Sequence, residues 1–198
     1  MHLTTIPMAQ AVWPRRTTSP TAAWGRDALL VVAFSLLTAL SARISIHLPF
    51  TPVPITGQTF AVLLTGALLG PRLAFQAMAL YLAEGAAGLP VFQSGTFGLS
   101  ELAGMTGGYL ISYPFAAGLV GWLATRGWDR RPATMLLAML LGSVVIYAFG
   151  VGWLSHFLGT RAAVFGGMVP FLPGDALKAL LAAGLLPAGW KLIGERRE

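Results

Sequence analysis

The sequence predicts an all-α membrane protein, built as a bundle of six transmembrane helices with both termini in the cytoplasm. Three observations predict this fold class: the composition, the spacing of the apolar runs and the distribution of the basic residues. Hydrophobic residues make up 56% of the 198 residues and charged residues only 10%, with a mean hydropathy of +0.71. Such a chain has too few polar side chains to coat a soluble globule, so we expect lipid to cover most of its surface.

The uncharged apolar runs predict the spans one by one. About 20 apolar residues cross the hydrocarbon core of a bilayer. The first run begins near residue 28 and continues to about residue 48. Two short runs then flank the turn Gly70-Pro71-Arg72, so their helices need a tilt or a polar end buried in protein. The five later spans are expected at 59–69, 73–83, 102–125, 132–155 and 176–193.

Residues 1–25 are expected to form a flexible cytoplasmic tail, and residues 26–198 a single six-helix membrane domain. The tail carries Arg15 and Arg16, has no acidic residue before Asp27, and lacks the apolar core of a cleaved secretory signal. Acid-poor segments with arginines also occur in organelle transit peptides, which is the alternative interpretation of this segment. The remaining length suits one compact bundle and leaves no room for a separate catalytic domain.

The basic residues predict the orientation. Three of the 13 lysines and arginines, Arg43, Arg161 and Lys178, fall on the side opposite to the N-terminus. The other ten fall on the N-terminal side: Arg15, Arg16, Arg26, Arg72, Arg126, Arg130, Arg131, Lys191, Arg196 and Arg197. Positive residues mark cytoplasmic loops, so both termini are predicted on the cytoplasmic side of the cell membrane. Loops 48–58, 89–103 and 156–174 are predicted on its outer side. The net charge of +6 is therefore attributed to topology, and no nucleic-acid partner is expected.

The segment 47–58, HLPFTPVPITGQ, predicts a loop folded into the protein. Its three prolines interrupt the helix between apolar runs, and irregular backbone at membrane depth is tolerated where it covers or lines a cavity. A charge near the bilayer centre costs at least about 2.5–3.5 kcal/mol, so polar groups are expected to face such a cavity. Polar side chains gather at the outer face: Arg43, His47, Gln58, Glu84, Gln93, Glu101, Asp175 and Lys178.

Asp175 and Lys178 form the most specific local pattern. Pro173 and Gly174 are expected to end a loop, Asp175 to start a helix, and Lys178 to lie three residues on along the same face. One interpretation is an N-cap aspartate followed by a lysine that reaches the lipid headgroups. The other is a binding site in which the carboxylate accepts N–H groups and the ammonium holds a carbonyl or carboxylate.

The third predicted span carries a second polar stripe. Tyr81, Glu84, Gly85 and Gly88 fall at helical spacing on one face, which fits either a site or close packing against a neighbouring helix. Gln93 follows in a turn-rich loop, where its amide could both donate and accept hydrogen bonds to a ligand or cap the loop.

Other polar and aromatic positions carry weaker signals. Arg43 lies at the outer end of the first span, where snorkelling is the simplest explanation. Tyr147 could stack on a flat ligand or pack in the core. His47 and His156 lack acidic neighbours at ligand spacing, and the chain has no cysteine, so no metal or other cofactor is expected.

No catalytic or nucleotide-binding motif appears in the sequence. G-x-x-x-x-G-K-[ST], H-E-x-x-H and an elbow-type serine motif are all absent, so an enzyme is not expected and the chain has no phosphate-binding loop for ATP. A binding subunit that takes its energy from a partner fits better. Two alternatives stay open: a stand-alone small-solute carrier not driven by ATP, with Glu84 as its coupling acid, and a membrane-embedded enzyme.

Four ordered motifs carry a resemblance to a known family. They are LPFTPVPIT at 48–56 with Gln58 and Thr59, Tyr81 with EGAAGLPVF at 84–92, TGGYL at 106–110, and LPGD at 172–175 with Lys178. Together they resemble the BioY family, the biotin-binding S components of energy-coupling-factor (ECF) vitamin transporters. The resemblance covers about residues 28–194 and implies the six-helix S-component fold.

The resemblance also implies function and partners. Biotin would be captured in an outward-facing pocket, and a transmembrane scaffold subunit with two cytoplasmic ATPases would drive its uptake. Asp175 and Lys178 occupy the family's matching motif. Asp175 is expected to accept the ureido N–H groups, Lys178 or Gln93 to donate to the ureido oxygen, and Arg43 or Lys178 to pair with the carboxylate. The full candidate set is Asp175, Lys178, Gln93, Arg43, Gln58, Tyr81, Glu84 and Tyr147.

A docking face for the scaffold is expected on the first span. S components share an Ala-x-x-x-Ala pattern there, which lets helices approach closely. The nearest pairs in this chain are Ser35/Ala39 and Thr38/Ala42, neither with alanine at both positions. Small residues at this spacing also occur in any packed helix bundle.

Overall fold

The computed structural model describes residues 5–14 and 20–195 and is helical almost throughout. Only one short antiparallel ribbon interrupts the helices in these ranges, with β1 (Ser45–Ile46) paired to β2 (Ile55–Thr56). The helices are α1 (Met8–Val12), α2 (Pro20–Ser41), α3 (Gln58–Leu69), α4 (Pro71–Ala86), α5 (Leu99–Ala103), α6 (Gly107–Ala124), α7 (Pro132–Leu158), α8 (Thr160–Gly167) and α9 (Leu172–Glu195).

Helix α6 lies at the centre of the bundle and packs against α3, α4 and α7. Its small residues allow close approach: a Cβ added at Gly121 would lie only 2.6 Å from the backbone carbon of Gly70. Gly70 itself joins α3 to α4 with φ of +77°, a conformation that glycine adopts without strain. The tight turn predicted between the second and third helices is thus present.

Three segments of the described chain are long and apolar enough to cross a membrane. They are Pro20–Ser41, Pro132–Leu158 and the stretch Thr160–Gly194. Helix α3 is apolar but shorter, with 12 residues. The structure thus shows a helical protein with three candidate membrane-spanning segments. The six-span arrangement, which would use α2, α3, α4, α6, α7 and α9, stays a prediction.

Three predicted helix boundaries near the polar face were wrong. The first span, expected to continue to about residue 48, ends at residue 41 as α2, and strand β1 follows it. The helix expected from residue 102 is divided into α5 and α6, because Gly104, Met105 and Thr106 turn the chain between them. The last helix starts at Leu172 instead of about residue 176, so Pro173 lies in its first turn, where a missing N–H costs nothing. Asp175 therefore belongs to the first turn of α9 and does not precede it.

The segment predicted as a flexible tail contains ordered contacts. Met8 and Ala11 of α1 are buried, and the Arg26 guanidinium donates to the carbonyl oxygens of Trp13 (2.8 Å) and Ala9 (3.1 Å). Helix α2 begins at Pro20, so the predicted boundary at residue 25 falls inside it. The flexibility of residues 1–25 stays a prediction, and Arg15, Arg16, Arg196 and Arg197, which entered the topology argument, lie outside the described residues.

The small residues predicted to dock a scaffold are covered by the chain itself. Ser35, Ala39 and Ala42 are buried, as is Thr38, because this face of α2 packs against α4 and the loop that follows it. The prediction that Ser35, Ala39 and Ala42 present a docking surface is therefore not supported by their positions. The exposed side of α2 carries large apolar side chains instead: Leu29, Val32, Leu36, Leu37 and Leu40.

Candidate functional site

A cavity of about 40 Å³ lies at one end of the bundle, where α3, α6 and α9 begin and where α7 carries Tyr147. Val53 and Pro54 at the end of loop 47–54 and Thr56 of β2 line one side of it, and we call this loop and β2 the roof. The prolines at 49, 52 and 54 predicted that this loop covers or lines a cavity. Its polar lining consists of Thr56, Gln58, Thr59, Gln93, Thr106, Asp175 and Lys178, and its aromatic lining of Tyr109, Tyr113, Tyr147 and Phe171.

Asp175 and Lys178 form the ionic centre of the cavity. The Lys178 ammonium donates to Asp175 Oδ1 (3.1 Å), Thr59 Oγ1 (2.7 Å) and the Thr56 carbonyl oxygen (3.2 Å). These three acceptors use all three of its N–H groups. Lys178 therefore turns into the protein, which excludes the interpretation of a lysine reaching for lipid headgroups.

Tyr147 completes this centre from α7. Its hydroxyl donates to Asp175 Oδ2, so each carboxylate oxygen has a partner, and the Asp175 residue is only 8% exposed. A carboxylate, an ammonium and a phenol thus meet at one point. The N–H and carbonyl groups of a ligand could replace these internal partners, so that ligand binding would leave no buried charge unpaired.

Gln58 enters the cavity from the first residue of α3. Thr56 Oγ1 donates to Gln58 Oε1 (3.1 Å), and Gln58 Nε2 donates to Tyr81 Oη (2.5 Å). The Tyr81 hydroxyl in turn donates to the Val91 carbonyl oxygen (2.9 Å) and is fully buried. Tyr81 therefore lies behind the lining and ties the start of α3 to the loop after α4.

Gln93 reaches the cavity from that loop, which is fixed from three sides. Gln93 Nε2 donates to Thr106 Oγ1 (3.3 Å). Ser94, with φ of +54°, donates its N–H to the Ala42 carbonyl oxygen (3.3 Å). Arg43 Nη2 donates to the Pro90 carbonyl oxygen (2.6 Å) from the exposed side of the loop, so Arg43 supports the loop and does not line the cavity.

Glu84 also lies outside the cavity. It accepts a hydrogen bond from the buried Ser35 hydroxyl and so joins α4 to α2. Of the eight predicted site residues, the structure brings together five: Gln58, Gln93, Tyr147, Asp175 and Lys178. Tyr81 supports this group from behind, whereas Arg43 and Glu84 are separate from it.

Sequence reasoning missed several lining residues. Thr59 holds the Lys178 ammonium, and Tyr109 forms a wall whose hydroxyl donates to the Gly167 carbonyl oxygen (2.8 Å). Thr59 could have been found from its place beside Gln58 at a helix start. Tyr109 lies in the TGGYL motif, which carried the family resemblance but had not been assigned a role in the site.

The roof is held to the rest of the bundle by few polar contacts. Thr51 Oγ1 donates to the Gly166 carbonyl oxygen in α8 (2.8 Å), and Thr56 is bound by Lys178 through its carbonyl oxygen. A cavity of about 40 Å³ has room for only a few water molecules, so any larger ligand must displace part of this roof.

The chemistry of the lining favours a compact, neutral-to-anionic ligand with an amide-like group. Asp175 can accept N–H donors, Lys178 can donate to a carbonyl or carboxylate, and the amides of Gln58 and Gln93 can do both. Tyrosine walls suit a ring system. Within residues 5–14 and 20–195, no three histidine, aspartate or glutamate side chains converge as metal ligands would.

Comparison with known proteins places the chain in a family. Residues 14–195 match the family model described as BioY. The probable biotin transporter BioY of Pyrococcus horikoshii is 38% identical over 157 residues, covering 79% of this chain and 91% of that protein. The biotin transporter BioY of Rhizobium etli is 38% identical over 185 residues, covering 86% of this chain and 98% of that protein.

A solved structure shares the fold. The crystal structure of the S-component for biotin from an ECF-type ABC transporter matches with a TM-score of 0.74, covering 91% of this chain and 96% of that one. Its sequence identity of 22% makes this a likeness of fold. The family match over residues 14–195 and the two relatives, each 38% identical over most of its length, show that the chain belongs to the BioY family.

Proposed function

We propose that this chain is the biotin-capturing S subunit of an ECF-type uptake transporter. Its relatives are named biotin transporters, and the matching fold is that of an S-component for biotin. The observation that carries the proposal is the Asp175–Lys178–Tyr147 centre inside a cavity at one end of a membrane bundle.

The groups in the cavity complement those of biotin. Its ureido ring offers two N–H donors and a carbonyl acceptor, its second ring is apolar, and its tail ends in a carboxylate. We assign the ureido N–H groups to Asp175, and the ureido oxygen or carboxylate to Lys178, with the amides of Gln58 and Gln93 nearby. Each charge-assisted hydrogen bond in a dry site contributes about 1.5–3 kcal/mol.

Entry of biotin requires movement of the roof. The present cavity is far smaller than a two-ring molecule, so loop 47–54 must shift to admit it. The contacts to be broken are the Thr51–Gly166 hydrogen bond and the bond from Lys178 to the Thr56 carbonyl oxygen. Lys178 would then donate to the ligand in place of the roof. The position of the roof would therefore depend on whether biotin is bound.

The membrane arrangement is part of the proposal. Helices α2, α3, α4, α6, α7 and α9 would be the six spans of one membrane domain, with the cavity facing outward and both termini in the cytoplasm of the cell. The chain has no phosphate-binding loop, so a transmembrane scaffold and ATPase subunits would supply the energy. The carrier alternative relied on Glu84 as coupling acid, and Glu84 bonds to Ser35 away from the cavity.

Two lysines make a matched test. Lys178 lies in the cavity, whereas Lys191 is exposed near the other end of the same helix. Labelled biotin is titrated against the purified wild-type chain and the variants Lys178→Ala and Lys191→Ala. We expect the first substitution to weaken binding by about 10- to 150-fold, the equivalent of one charge-assisted bond, and the second to have no effect.

Two results would contradict the proposal. A wild-type chain that is folded by its thermal unfolding profile and does not retain biotin would remove biotin as the ligand. Equal affinities of Lys178→Ala and Lys191→Ala for biotin would instead remove the Asp175–Lys178 cavity as the site.

A further inference from the structure

A second and larger depression lies at the opposite end of the bundle from the Asp175 cavity. It is a groove of about 620 Å³ between α1 and the first turns of α2 and α4. Its floor is apolar, with Val31, Leu69 and Leu73. Its rim is polar, with Gln10, Arg72 and Gln76. The groove therefore suits an amphipathic ligand, whose apolar part would lie on the floor and whose polar part would lie at the rim.

The charges of the groove do not cancel. Arg26 is buried, and each of its three nitrogens donates a hydrogen bond: Nη1 to Asp27 Oδ1 (2.8 Å), Nε to the Trp13 carbonyl oxygen and Nη2 to the Ala9 carbonyl oxygen. That pair is neutral. Arg72 is exposed on the rim, and no acidic side chain among residues 5–14 and 20–194 forms an ion pair with it. The open groove therefore carries one uncompensated positive charge beside two side-chain amides.

The position of the groove indicates how a ligand would reach it. Helix α2 is long and apolar enough to span a membrane, and the groove lies at its first turns. Trp24 on the groove wall is 76% exposed, as aromatic residues at a membrane–water boundary commonly are. A phospholipid combines an anionic headgroup at this depth with acyl chains that could cover Val31 and Leu73.

We propose that this groove binds an anionic phospholipid. The headgroup phosphate would contact the Arg72 guanidinium, with Gln10 and Gln76 as neutral donors, and the start of an acyl chain would lie along the apolar floor. Arginine forms charge-assisted, fork-like bonds to phosphate, and basic pockets at helix ends favour anionic headgroups. The lipid would bridge α1, α2 and α4 and so stabilise the bundle independently of biotin.

Lipid-dependent stability tests the proposal on the whole chain. The purified protein is titrated with dioctanoyl phosphatidylglycerol or dioctanoyl phosphatidylcholine in a fixed detergent, and its thermal unfolding midpoint is followed. We expect a rise with phosphatidylglycerol only. Arg72→Gln should raise the half-saturating concentration about tenfold, as expected for loss of one charge-assisted bond. Arg126→Gln is the control, because Arg126 is an exposed arginine at the same end that stacks on Trp122 outside the groove.

A second variant and a second ligand make the result decisive. Gln76→Ala removes an exposed amide of the rim and should weaken the phosphatidylglycerol effect less than Arg72→Gln does, while both variants keep wild-type biotin affinity. Glycerol phosphate, which has the anion without the acyl chains, should not stabilise the protein. Equal effects of the two lipids, equal half-saturation in Arg72→Gln and Arg126→Gln, or full protection by glycerol phosphate would each overturn the proposal.

Discussion

A buried carboxylate lies against each end of α9: Asp175 in its first turn, and Asp129 from the segment before α7 near its other end. At the first turn, Asp175 is bound by the Tyr147 hydroxyl and the Lys178 ammonium. Near the other end, Trp190 Nε1 donates to Asp129 Oδ2 (2.6 Å), and the Arg130 guanidinium stacks 3.4 Å above the Trp190 ring. Each cluster consists of an acid, a base and an aromatic donor.

The clusters differ in what surrounds them. Asp175 borders a cavity whose other walls carry threonines, glutamine amides and tyrosines, so its partners can be exchanged for those of a ligand. Asp129 is 1% exposed and joins the loop before α7 to α9, with its base stacked flat on its aromatic partner. A buried acid–base pair alone therefore does not define a site. The cavity beside Asp175, which is lined by further polar side chains, distinguishes the proposed binding end of α9 from the end at Asp129, which we call the structural end.

The largest expected effect is a difference in biotin affinity between variants of the two carboxylates. Asp175→Asn keeps the size of the side chain but removes the charge that holds Lys178 and accepts N–H groups, so biotin affinity should fall about 10- to 150-fold. Asp129→Asn should leave biotin affinity unchanged. Titration with labelled biotin measures both. If the two variants bound biotin equally well, the distinction between the ends would be lost.

The next effect concerns stability at the structural end. Trp190→Phe removes the N–H that satisfies Asp129 Oδ2 and leaves a buried carboxylate oxygen without its donor, at a cost of about 1–3 kcal/mol. The thermal unfolding midpoint should fall while the dissociation constant for biotin stays the same. Trp122→Phe serves as the control, because Trp122 is 46% exposed. A loss of biotin affinity in Trp190→Phe, with no change in the midpoint, would contradict the assignment.

A smaller effect is expected from Tyr81, which supports the binding end without lining it. Tyr81→Phe leaves Gln58 Nε2 and the Val91 carbonyl oxygen without a partner, so we expect about 1 kcal/mol, or roughly fivefold, in biotin affinity. If Tyr81 acts by positioning Gln58, the same substitution in a Gln58→Ala background should change affinity little. Additive losses would show that Tyr81 affects binding by another route.

The sequence predicted the parts of the fold that depend on composition and proline. Long apolar runs predicted α7 closely and the existence of α2, although α2 begins and ends seven to eight residues earlier than expected. The prolines of loop 47–58 predicted that this loop covers or lines a cavity. Helix ends were harder to predict, because Pro173 is compatible with both a loop and a first helical turn, and only packing decides between them.

The candidate site was predicted only in part, because the direction of a side chain depends on neighbouring elements as well as on its own position in sequence. Asp175 and Lys178 were identified by their spacing, because residues three apart share a helix face. Arg43 and Glu84 were placed in the site for being polar at the outer end of a span, but side-chain direction depends on neighbouring elements. Glu84 turns to Ser35 on α2, and Arg43 turns to the Pro90 carbonyl oxygen. Asp129 was overlooked, because its partner Trp190 is 61 residues away in sequence.

The smallest predicted effect is a pH dependence of the protein's stability that arises from Asp129 at the structural end. Burial raises the pKa of Asp129 above its ordinary value of 3.8, against the lowering effects of the Trp190 N–H and the Arg130 guanidinium. The folded protein therefore holds this proton more tightly than the unfolded chain does. Its contribution to stability is complete below the ordinary pKa and is lost as the pH rises through the raised pKa of the folded state.

The unfolding midpoint of the wild type, compared with that of Asp129→Asn, should thus decline as the pH rises from about 4 through that window, because only the wild type carries the titrating group. All other acids, Asp175 included, are common to both proteins and cancel in the comparison. Parallel midpoint curves for the two proteins would mean that the Asp129 environment does not penalise its charge. The difference between the two ends of α9 would then rest on the cavity beside Asp175 alone.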